Sequence, residues 1–85
     1  MDIDHRPYTA AELNSIRTRH IPDVVNLIRL AWAAGDEERA TFRAALALGT
    51  AAYYLQRGAV DEAHRLIAGA SSAWDEGWNA KESAN

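Results

Sequence analysis

The chain contains no cysteine, which excludes disulfides, thiolate metal centres and cysteine nucleophiles. Only two prolines interrupt its 85 residues, and no stretch approaches the roughly 20 apolar residues that a membrane-spanning helix needs. The segment Met1–Pro7 is polar and lacks the apolar centre of a signal peptide. A soluble, cytoplasmic protein is therefore expected. Alternating β patterns and glycine-rich phosphate loops are also missing. Basic residues are dispersed and the formal net charge is -3, a poor footprint for a phosphate backbone. Every basic residue except Lys81 is arginine, and alanine is abundant, as a GC-rich genome would give.

What remains is a hydrophobic fraction of 48% with 25% charged residues, the balance of one small globular domain. We place that domain at residues 1–80 and expect a disordered tail at 81–85. A chain of this length buries only roughly 60–65% of the surface it exposes when unfolded. Much of its apolar content is alanine, so self-association into a dimer or higher oligomer is an expected source of stability.

The periodicity predicts an all-α fold, a small bundle of about four helices near residues 10–20, 22–34, 37–57 and 61–79. Thr9 and Glu12 have the spacing of a capping box, and Tyr8 and Leu13 that of a hydrophobic staple. Pro22 disfavours a helical residue before it and suits the first turn of a new helix. A single kinked helix from Thr9 to Ala34 is the alternative reading. Asp36 can cap the helix that follows Gly35. Within 37–57, Phe42, Leu46, Gly49 and Tyr53 line one side, while Ala44, Leu48, Ala51 and Leu55 line another. Apolarity over most of the circumference predicts a central helix enclosed on both flanks. The last helix carries a stripe of Ala63, Leu66, Ile67, Ala70, Trp74 and Trp78. Gly69 and Gly77 within it either admit a close neighbour or mark fraying.

Gly58 sits where a left-handed residue would close a hairpin. With Gly58 at the turn, Ala51 and Tyr54, then Ala63, Ile67 and Ala70, fall at characteristic small and large positions. Residues 47–70 thus resemble a tetratricopeptide-type helical hairpin. Thr50 and Ala47 depart from that pattern, and no second copy follows. The resemblance implies hairpin geometry and a binding surface. Stretches such as Ala11–Arg17, Asp23–Ile28 and Ala73–Gly77 are similar to small proteins of unknown function from actinobacterial phages. That likeness implies a bacterial host cytoplasm as the setting.

Catalytic and metal signatures are weak. Asp61, His64 and Arg65 read as a helix start with solvated side chains, and His5, His20 and His64 lack the spacing of paired ligands. Adjacent carboxylates, Glu37-Glu38 and Asp75-Glu76, diverge by about 100° on a helix. We expect no catalysis, no metal and no cofactor. Core packing is expected for Tyr53 and Trp74. Tyr54 is expected to face outward, and Trp78, near the helix end, is the candidate partner anchor, with Leu48 and Leu55 beside it.

These observations lead to a small helical interaction module, phage- or mobile-element-encoded, binding a host or self protein through Trp78, Leu48, Leu55 and Tyr54. The alternative is a small dimeric nucleic-acid-binding regulator using Arg17, Arg19, His20 and Arg29.

Overall fold

The computed structural model describes residues 6–84. His5, and residue 85 of the tail expected at 81–85, lie outside them. Among the described residues there are three helices and no strands, so the class is all-α and the helix count is three, not four. The first helix, α1, joins Ala10–Ser15, Ile16–His20 and Ile21–Ala33 without a break. The second, α2, is Glu37–Gln56 and the third, α3, is Val60–Ser83.

The boundary expected before Pro22 is replaced by a π-helical turn over Ile16–His20, in which the Ile21 amide reaches back five residues to the Ile16 carbonyl. A proline ring in a regular α-helix meets the carbonyl four residues back and leaves one hydrogen bond unmade. Widening the preceding turn changes that register, so the chain passes Pro22 as a helix. Thr18 Oγ1 donates to the Asn14 carbonyl at 2.8 Å in the same region. The capping box is present: Glu12 N–H donates to Thr9 Oγ1 at 3.1 Å and Thr9 N–H to Glu12 Oε1 at 2.9 Å.

Both connections close in the same way. Gly35 and Gly58 have φ of 72° and 80°. The amides of Gly35 and Asp36 return to the Trp32 and Ala31 carbonyls, and those of Gly58 and Ala59 to Leu55 and Tyr54. This is the Schellman arrangement, with its left-handed glycine. Asp36 then caps α2 by accepting the Arg39 amide at 2.9 Å.

One apolar cluster joins all three helices, with Ile28 and Leu66 its largest fully buried side chains. Apart from Tyr54 and Glu62, alanine supplies the rest of the interior from α2 and α3: Ala40, Ala47, Ala51, Ala63, Ala70 and Ala73. The expected enclosure of α2 is corrected here. Phe42, Leu46, Leu48, Tyr53 and Leu55 are all exposed, because among the described residues there are only two other helices and both lie on its alanine face. The last helix runs beyond residue 79, so Lys81, Glu82 and Ser83 are helical. Among the described residues, no helix is long and apolar enough to cross a membrane.

Candidate interaction surface

At the end of the bundle formed by the α1 C-terminus and the last turns of α3, three tryptophans meet. Trp32 lies 4.9 Å from Trp74 and 6.4 Å from Trp78 between ring centroids, and Trp74 and Trp78 stack at 6.3 Å. Burial falls along the stripe: Trp74 is half-buried and Trp78 is 38% exposed. The expectation that Trp74 is full core is therefore softened. Its ring borders a cleft of about 320 Å³ between α2 and α3, lined also by Thr41, Ala44, Leu48, Ala70, Ser71 and Asp75. Leu55, two turns beyond Leu48 on the same flank of α2, is exposed as well. Lys81 extends over Trp78, its Nζ 5.2 Å from the ring centroid, and pairs with Glu37 of α2.

Trp32 is the member of this surface that sequence reasoning did not single out. Its meeting with Trp74 and Trp78 crosses more than forty residues. Its Nε1 is buried and has no hydrogen-bond partner among the described residues. The ring is held there by tilted and edge-to-face contacts with Trp74 and Trp78 and by the absence of a side chain at Gly77.

The assignments of the two tyrosines are reversed. Tyr54 is 3% exposed, so it leaves the set of outward-facing contact residues, whereas Tyr53 is 40% exposed. The two point about 100° apart on α2, and the helix turns Tyr54 toward α1, where its hydroxyl meets His20 Nδ1. Tyr8 contacts the same ring edge-on at 6.0 Å between centroids. Burial pushes the Tyr54 hydroxyl up to about 12. Arg57 lies over Tyr8, 3.8 Å from its centroid, closing this opposite end of the bundle.

The basic surface considered for nucleic acid is largely engaged within the chain. Arg17 pairs with Glu62, a carboxylate buried to 3% exposure in the first turn of α3, where the positive helix end also favours it. His20 is held by Tyr54, and Arg29 pairs with Glu76 at 3.2 Å. Of the four, Arg19 alone has neither an ion pair nor a side-chain hydrogen bond among the described residues. Asp61 pairs with Arg65 at 3.3 Å, and no group of three or more acidic or histidine side chains could hold a metal among the described residues.

The geometry thus defines a three-helix bundle with apolar outer flanks and a tryptophan cluster at one end. Compared with protein-family models, curated proteins and solved structures, the chain matches none.

Proposed function

We propose that the protein is a small, non-catalytic interaction module that binds a protein partner across the flank formed by α2 and α3. The observation that carries this reading is a cleft bordered by Leu48 and Trp74, with exposed Trp78 one turn beyond Trp74 on α3 and exposed Leu55 two turns beyond Leu48 on α2. A cleft of about 320 Å³ accommodates one or two apolar side chains of a partner. Exposed tryptophan beside a pocket is the usual anchor of such a contact. The phage setting rests on the short sequence likenesses alone, and the tetratricopeptide-like hairpin lends the surface a familiar form.

Internal pairing of Arg17, His20 and Arg29, with a net charge of -3, favours a protein partner over a nucleic acid. The test is affinity capture from a bacterial lysate, followed by titration of the captured protein against wild type, Trp78→Ala and Leu48→Glu. Trp78→Ala should keep the helical circular dichroism and weaken binding by about 2 kcal/mol or more. Unchanged affinity in both variants, or salt-dependent DNA binding in place of a protein partner, would overturn the reading.

A further inference from the structure

On the other flank of α2, away from the tryptophan cleft, Phe42, Leu46, Gly49 and Tyr53 follow one another at intervals of four, three and four residues. That is the spacing of a helix–helix seam. Phe42 is 62% exposed, Leu46 54% and Tyr53 40%, so no element among the described residues covers it. Gly49 is the unusual member. A glycine weakens a mid-helix position, and here nothing within the molecule requires it, since a Cβ built there meets no atom within 4 Å.

We propose that this face is covered by the same face of a second copy, the two α2 helices running antiparallel. The row is palindromic in spacing about the midpoint between residues 47 and 48. Antiparallel pairing about that point sets Leu46 of each copy over Gly49 of the other, filling the space the glycine leaves, and sets Phe42 opposite Tyr53. Ala45 and Ala52 flank the row on one side and permit close approach of the backbones. A parallel pair would oppose glycine to glycine and leave a void.

Area and charge agree with a second copy. Arg43 donates to the Leu27 carbonyl at 2.7 Å and brings α1 alongside the row. With Leu27 44% exposed there, the face offers about 350 Å² of apolar surface, taking ~200 Å² for a whole aromatic side chain. This is the greater part of the apolar share of the roughly 800 Å² per partner in a standard interface. A parallel sense would set two acidic first turns, Asp36, Glu37 and Glu38, side by side, whereas the antiparallel sense keeps them at opposite ends of the pair. Arg39, which that sense brings near Arg57 of the second copy, already has Asp36 at 3.5 Å.

The test uses the full chain. Sedimentation of wild type from low to high micromolar concentration should show twice the 9.4 kDa monomer mass. Leu46→Glu and Gly49→Leu should each raise the dimer dissociation constant at least 100-fold. Gly49→Leu should do so without lowering the melting temperature of the monomer, which separates lost pairing from a damaged fold. Because the chain has no cysteine, direction is read by disulfide formation between Phe42→Cys and Tyr53→Cys proteins. The mixture should form the heterodisulfide, while either variant alone should not cross-link, its two thiols being about 16 Å apart along the axis. A monomer at every concentration, an intact Gly49→Leu dimer, or homodisulfides as the main product would each overturn the proposal.

Discussion

The indole ring of Trp32 lies directly on the backbone of Gly77, so close that a Cβ at residue 77 would overlap the ring carbons. Two turns earlier, a Cβ on Gly69 would come within 2.8 Å of Val25 Cγ2. Both glycines therefore face α1, and the helix propensity they forgo, about 1 kcal/mol each, is offset by close approach of α1 to α3. The three glycines inside helices divide accordingly: two are required by a neighbour, while Gly49 has none.

Gly77→Ala should destabilise the fold by about 1–3 kcal/mol, the usual cost of overpacking, because Trp32 cannot move without losing Trp74 and Trp78. Gly49→Ala should stabilise the monomer by up to about 1 kcal/mol. Urea unfolding followed by tryptophan fluorescence checks the pair, at concentrations low enough to exclude association. Equal effects in the two variants would show that the contact with Trp32 carries no weight.

Arg17 and Glu62 should respond unequally to mutation. Glu62 is 3% exposed and Arg17 45%. Arg17→Met strands a buried carboxylate and should cost about 2–4 kcal/mol, toward the range for a broken buried pair. Glu62→Gln leaves a half-exposed guanidinium that can turn to water, so its cost should be at least 1 kcal/mol smaller. Denaturant midpoints with unchanged m-values would establish the order.

Alkaline pH should destabilise the protein through Tyr54. Its folded-state value of about 12 lies above the ordinary 10, so the native state holds the phenolic proton more tightly than the unfolded chain does. The associated stability is complete below pH 10 and lost as pH rises through about 12. Desolvation raises Tyr8 in the same direction. Tyr54→Phe should flatten the fall in melting temperature above pH 10. It should also remove the late phase of the phenolate absorbance titration and cost about 1 kcal/mol at neutral pH through the lost contact with His20.

Gly58→Val should destabilise by about 1 kcal/mol or more, since a β-branched residue tolerates φ of 80° poorly. Thermal melts would detect this as a drop of several degrees for a domain of this size. An unchanged melting temperature would mean that the α2–α3 turn relaxes without the left-handed residue.

Local signals were legible wherever the controlling atoms are near in sequence. The Thr9–Glu12 box, the glycine turns at 35 and 58 and the outward grading from Trp74 to Trp78 all fall in this group. Pro22 misled for a physical reason: its local preference is a helix start, and a widened turn over Ile16–His20 satisfies that preference without breaking α1. The missing fourth helix then changed the reading of α2, since an apolar circumference signals enclosure only when enough elements exist to enclose it. Tyr53 and Tyr54 were indistinguishable by periodicity on such a helix. The identity of the buried one depends on His20 and Tyr8, more than thirty residues away. Partners at that distance leave no spacing in the sequence.

The alanine interior has a calorimetric consequence. Fourteen apolar residues are buried among those described, and eight of them are alanine. Unfolding therefore hydrates less hydrocarbon per residue than it does in a leucine-filled bundle. The heat-capacity increment should fall below the ordinary 12–15 cal/mol/K per residue, because that increment scales with the apolar surface exposed. A small increment flattens the curve of stability against temperature. Such a protein changes little in stability between cold and moderate warmth, its resistance to cooling arising from the same small side chains that limit its maximum stability.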